Sequence, residues 1–235
     1  MTEEIYNLDA YAAKCDAVIT KIQDEGIFLD STVFFPGGGG QPCDKGIMKT
    51  ESKDLEVNQV KRIEGEIFHF VNTDNLNVGD KIQCVLNWKR RHNLMKTHTA
   101  LHIMCGVVWR DFQALATGGN MNELNGRIDF EFESLTSEMT KDIEEKINLE
   151  VNKNLPISVG FISREKAEKI PGLIRTKINL LPASIKTLRT IDIEGLDIQA
   201  DGGTHVKSTS EVGKVKVVGH QSKGKSNKRI RIEIE

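Results

Sequence analysis

The chain contains no run of about 18 apolar residues, so no membrane-spanning helix is expected. Neither sign of charge is in large excess: 32 Lys and Arg stand against 34 Asp and Glu, a net charge of −2. Any anionic partner must then be met by a local patch rather than by the field of the whole molecule. The first residues, MTEEIYNLDAYAAKCD, lack the basic-then-apolar layout of a secretion signal, and the expected location is the cytoplasm. No CxxC pair occurs among Cys15, Cys43, Cys84 and Cys105, which suits free thiols in a reducing compartment, with Cys105 as a core residue. There is no internal repeat and no low-complexity linker. What remains is ordinary for a soluble globular protein: 38% hydrophobic and 28% charged residues over 235 positions, room for one large domain or two modest ones.

The first ~85 residues carry strand-and-turn rhythm. GIFLDSTVFFPGGGG is β-rich and then broken by proline and four glycines. LEVNQVKRIEGEIFHFVN reads as two short strands around a Glu-Gly turn, and LNVGDKIQCVLN as one more strand after a Gly-Asp turn. This is the pattern of a small β-barrel or half-barrel. Near residue 88 it gives way to a helical one, with Leu94, Leu101, Cys105, Val108 and Phe112 on a single stripe. NGRIDFEFE alternates as a half-buried strand. The segment from Thr136 to Pro156 opens like a capping box and predicts a long amphipathic helix. ISVGFIS and LDIQA read as strands with REKAEKI a short helix between them, and the C-terminal stretch as two strands around a polar loop.

Within the helical stretch lies HTALH. His98 and His102 are four residues apart, hence on one side of a helix, inside and at the edge of the apolar stripe. Buried imidazoles need polar company, and zinc accepts His nitrogen. The HExxH glutamate is absent, because position 99 is Thr99, so a built-in metalloprotease base is not available. A second pair strengthens the metal reading. QADGGTHV sets Asp201 and His205 four apart around two glycines, which are expected to let the backbone fold tightly enough for both side chains to converge. A plain core histidine pair and a turn-capping Asp201 are the bland alternatives.

HTALH together with ADGGTHV resembles the editing-domain signature shared by alanyl-tRNA synthetases and freestanding alanyl-tRNA editing proteins. STVFFPGGGGQPCDKG is similar to the glycine-rich motif of that family, and the tail KGKSNKRIRI fits it, so the likeness runs from about residue 28 to the C-terminus. The threonyl-tRNA synthetase editing domain is similar in its metal-ligand pattern only. The resemblance implies an α+β fold in two parts: a small β-barrel over residues 1–88, then an editing domain over 89–235 with helices packed on an antiparallel sheet. It also implies the intermediate-sized, trans-acting kind of protein. The activity implied is hydrolysis of seryl-tRNA(Ala), with glycyl-tRNA(Ala) as a second substrate, using one zinc ion per chain. The partner is the mischarged acceptor end; no membrane and no obligatory protein partner is expected.

The same resemblance assigns residues. His98, His102 and His205 are the first-choice zinc ligands, and Asp201 the fourth. Most relatives carry cysteine where this chain has Asp201, and a carboxylate is a harder donor. Zinc could lower the pKa of its water to about 7 or instead anchor the substrate; the residues do not choose. A purely apolar pocket cannot strongly reject an added hydroxyl, whereas a site built to bind that hydroxyl discriminates by about 10⁴-fold. Thr32 is the matching position for reading it, with Gln41, Gly38 and Gly39 approaching the substrate. Seven cations from Lys214 to Arg231, with no acid among them, suit phosphate contacts, foremost Lys223, Lys225, Lys228 and Arg229. Arg90, Arg91 and Lys96 are expected to extend that face. The competing readings are a non-catalytic zinc-stabilised tRNA-binding module and an editor of threonyl-tRNA.

Overall fold

The computed structural model describes residues 2–170, 172–173 and 186–235. The chain divides into two compact units, residues 1–93 and 94–235. It mixes helices with sheets whose ladders are antiparallel apart from one short parallel pair.

The first unit holds β1 (Glu3–Glu4), β2 (Lys14–Gln23), β3 (Gly26–Leu29), β4 (Ser31–Thr32), β5 (Gly46–Lys49), β6 (Asp54–Val57), β7 (Gln59–Ile63), β8 (Glu66–Phe70) and β9 (Lys81–Leu86). Seven of them form one antiparallel sheet in the order β6-β5-β9-β2-β3-β8-β7, and β1 pairs with β4. Strand residues Ile19, Ile27, Leu29, Met48, Val57, Val60, Ile67 and Ile82 share one core with Val33 and Phe34, which follow β4. The expected turn between β7 and β8 forms at Glu64 and Gly65, both at positive φ (50° and 88°). That backbone matches the twist of a two-residue hairpin.

Helix α1 (Trp88–Phe112) follows β9. The sequence pattern suggested one apolar stripe. Instead every residue from Thr97 to Val108 is buried, so the polar members of the helix are interior groups that need partners.

The second unit continues with β10 (Ala116–Asn122), β11 (Asn125–Glu131), α2 (Ser137–Asn152), β12 (Ile157–Ser163), α3 (Arg164–Ala167), β13 (Thr187–Ile193), β14 (Asp197–Ala200), β15 (Val215–Ser222) and β16 (Asn227–Ile234). Two antiparallel sheets result, β10-β11-β16-β15 and β12-β13-β14. The sequence reading did not pick out β10 or β13; β10, ATGGNMN, is glycine-rich and lacks the apolar alternation of a strand. Helix α2 starts where expected: Thr136 caps it by accepting from the Met139 amide at 3.2 Å. It buries Ile143, Ile147 and Val151 at helical spacing. Its polar residues cover the edge strand β15. The Asn148 side chain donates to the Val215 carbonyl (2.7 Å) and accepts from the Val215 amide (2.9 Å), while Glu144 accepts from the Val217 amide (2.6 Å). An edge whose amides are occupied this way is closed to stray strand pairing.

Candidate metal centre

Helix α1 brings His98 and His102 to one place, and the turn after β14 brings Asp201 and His205. One ligand atom from each of the four lies within 4.8 Å of all the others. The ring centroids of His98 and His205 are 4.3 Å apart, those of His102 and His205 4.6 Å, and those of His98 and His102 5.0 Å. The Asp201 Oδ1 atom is 3.6 Å from His98 Nε2, and its Oδ2 is 3.2 Å from His205 Nε2. A tetrahedral ion with bonds of about 2.0–2.2 Å separates its ligands by roughly 3.5 Å, so the four side chains fit a divalent cation with little movement.

The electrostatics of the cluster suit the same occupant. Burial pushes the His98 imidazole down to about 4, against the opposing pull of Asp201. Burial also holds His205 well below the ordinary histidine value, with His98 acting in the same direction. Neutral imidazoles present lone pairs. Burial alone would raise the Asp201 carboxyl, but His98, His205 and His102 outweigh it and keep the group well below the usual carboxylate range. Imidazole nitrogens and a carboxylate are the donor set of a site that can hold a metal ion.

Local chemistry holds this geometry. The Asp201 carboxylate accepts from the Gly203 amide through Oδ2 at 2.6 Å, closing the turn on itself. The Arg189 guanidinium on β13 donates to the carbonyls of Asp201 (3.0 Å) and Gly203 (2.8 Å). The expectation that Gly202 and Gly203 supply unusual backbone freedom is not met, because neither has a positive φ. The carboxylate and Arg189 make the turn tight instead. Thr99, which stands where a metalloprotease would carry glutamate, has another task. Its Oγ1 lies 3.1 Å from His205 Nδ1 and accepts from the Val206 amide at 3.3 Å. That contact leaves His205 Nε2 facing the cluster. Arg189 was not singled out in the sequence, and Thr99 was noted there only because it stands in place of the HExxH glutamate.

The other expected site residues belong to the first unit and to the β15–β16 hairpin. Thr32 is fully buried, with its hydroxyl 2.9 Å from His69 Nε2 and accepting from the Phe34 amide at 3.1 Å. Gln41 is buried, and its backbone exchanges hydrogen bonds with Gly38 at 2.9 and 3.0 Å. Gly37 to Gly40 all have positive φ, and Gly38 and Gly39 are exposed. Four successive left-handed residues explain why the loop is glycine throughout.

On the β15–β16 hairpin, Lys223 and Lys225 are exposed. Lys228 is buried and donates to the carbonyls of Gly224 and Lys225, both at 2.9 Å. Arg229 grips Asp129 across the sheet through two bonds of 2.7 and 2.8 Å, which holds the Asp129 carboxyl below its ordinary range. The expected surface role of Arg91 is overturned. It is fully buried, its guanidinium bonded to Asp44 and to the carbonyls of Ala10 (2.8 Å) and Val33 (2.6 Å). Arg90 donates to the Cys43 carbonyl at 3.1 Å.

Comparison with known proteins adds a second line. Residues 2–90 match the family profile described as tRNA synthetases class II (A), and residues 188–231 that described as threonyl and alanyl tRNA synthetase second additional domain. The chain is 36% identical to the alanyl-tRNA editing protein AlaX-M of Saccharolobus solfataricus, covering 98% of both chains. It is 35% identical to the AlaX-M of Methanosarcina barkeri over the same shares. The alanine–tRNA ligase of Methanococcus maripaludis is 35% identical across 92% of this chain but only 24% of its own length. None of the described helices is long and apolar enough to cross a membrane.

Proposed function

The chain belongs to the alanyl-tRNA editing family, and from that premise we propose that it is a trans-acting, zinc-dependent hydrolase that removes serine, and glycine as a second substrate, from mischarged tRNA(Ala). The observation that carries this reading is the convergence of His98, His102, Asp201 and His205 on one point. Those four residues would hold the ion, the histidines through neutral nitrogens and Asp201 through the oxygen not anchored on Gly203. When bound, zinc supplies Lewis acidity, toward water or toward the ester.

The chain's own residues supply position and selectivity. Thr99 orients His205, and Arg189 fixes the turn that carries it. Thr32 is the proposed reader of the substrate hydroxyl, its oxygen held by His69 and the Phe34 amide. The Gly37–Gly40 loop and Gln41 would approach the aminoacyl end. Lys223 and Lys225 would contact RNA phosphates, on a hairpin that Lys228 and Arg229 hold in shape. The layout proposed is a small barrel over residues 1–88, supported by the seven-stranded antiparallel sheet, followed by a deacylase domain over 89–235.

A second reading has one observation in its favour. A fourth protein ligand fills a tetrahedral shell, which is the habit of structural zinc. On that reading the chain retains tRNA at low salt and cleaves nothing.

Deacylation of seryl- and alanyl-tRNA(Ala) separates the two. We expect rapid release of serine, slow release of alanine, loss of both on chelation and restoration by zinc. Turnover of neither ester, with zinc bound, selects the structural reading; equal turnover of both ends the specificity claim.

A further inference from the structure

A second carboxylate stands behind the cluster. Asp197, at the start of β14, has no solvent-accessible side-chain surface, and its Oδ2 lies 3.6 Å from His102 Nδ1. It is not one of the four residues whose ligand atoms converge, so it faces His102 from the outer side. Two further contacts place it there. The Gln199 amide donates to the same Oδ2 at 2.6 Å, holding the carboxylate from the sheet side. On the helix side, Gly106 stands one turn beyond His102. A Cβ at position 106 would come 2.9 Å from Leu196 Cγ and 3.1 Å from Asp197 Cβ. The missing side chain is therefore what lets the β13–β14 turn lie close enough for the carboxylate to reach the imidazole.

We propose that Asp197 is a positioning residue: it takes the proton of His102 Nδ1 as a hydrogen bond and so presents Nε2 to the cation. The inference rests on the metal reading given above and adds a fifth residue to it. A carboxylate without solvent is costly to keep, and a ligated imidazole repays it, because a cation on one ring nitrogen makes the proton on the other a stronger donor. At 3.6 Å the contact is longer than a hydrogen bond, and a cation on the other ring nitrogen would favour its shortening. Outer-shell carboxylates of this kind are worth roughly 10–100-fold in metal affinity.

The test is zinc affinity by competition with a chromophoric chelator, measured beside the melting temperature of the zinc-free protein. Asp197→Asn keeps the shape and the acceptor for Gln199 but removes the charge. We expect zinc binding about 10–100-fold weaker, with the zinc-free melting temperature unchanged or higher, since a buried charge has been removed. Gly106→Ala should weaken zinc in the same direction by pushing the turn away. Long-range proton–nitrogen spectra of the zinc-loaded wild type should show His102 bound through Nε2 and protonated at Nδ1. Affinity of Asp197→Asn within twofold of wild type, or coordination through Nδ1, overturns the proposal. So does an equal fall in melting temperature with and without zinc, which would mark Asp197 as structural only. Wild type that binds no zinc at all defeats the metal reading itself, and this inference with it.

Discussion

Two buried clusters of ionisable groups, one in each unit, are built to opposite rules. In the first unit Arg91 meets Asp44 with both side chains inside, and Asp44 also accepts from the Phe35 amide at 2.7 Å. The guanidinium reaches two backbone carbonyls besides. Cation and anion both come from the chain, and the stem of the glycine loop is tied between them at Val33 and Phe35. In the second unit three imidazoles and Asp201 bring one ligand atom each to one place. The anion is present, and burial pushes His98 and His205 down, toward their neutral forms. One cluster is electrically closed and reads as structure. The other sets one carboxylate among three imidazoles that could hold a metal ion, and reads as a site.

The largest expected effect breaks the closed cluster. Arg91→Met leaves Asp44 as an unpaired interior charge, and removing one member of a buried pair costs about 3–5 kcal/mol. Denaturant melts should register that loss with and without zinc alike. A loss below about 1 kcal/mol would mean the pair is not what ties the loop.

Next in size is a pH effect that separates the two units. His69, buried against Thr32, is pushed down by desolvation to about 4, whereas in the unfolded chain it titrates near 6.5. A histidine depressed on folding contributes stability above its unfolded value and loses it as pH falls. Between pH 6.5 and 4 the loss from His69 is about 3 kcal/mol. Urea melts of the zinc-free protein at pH 7 and pH 4.5 should show that His69→Gln removes this share of the swing and leaves the share of His98 and His205. A swing untouched by the substitution refutes the assignment.

The smallest effect concerns the open cluster. Zinc at 100 times its dissociation constant should stabilise the chain by about 2.7 kcal/mol, read by calorimetry against a chelated sample. Asp201→Ala should shrink that increment, whereas Arg91→Met should leave it in place. An increment of equal size in the Asp201 variant would remove that residue from the ligand set.

The legible parts of this protein were those where spacing alone sets geometry. HTALH and ADGGTHV each place two side chains four residues apart, and the Glu64–Gly65 turn and the Thr136 cap are equally local. The illegible parts are pairings across long stretches of chain. Arg229 looked like an RNA contact until β16 set it opposite Asp129, 100 residues earlier. Arg91 looked exposed until Asp44, Ala10 and Val33 closed around it. Thr99 looked like a missing base until His205 arrived beside it.

By itself, then, the order of residues determined the two pairs of candidate ligands, the family and the run of strands before the long helix, because each depends on neighbours within a few positions. Only the tertiary structure decided which charges are free and which are engaged, which nitrogen of His205 is turned toward the cluster, and that Asp197 stands behind His102. Those are properties of burial, and burial exists only once distant segments have come together.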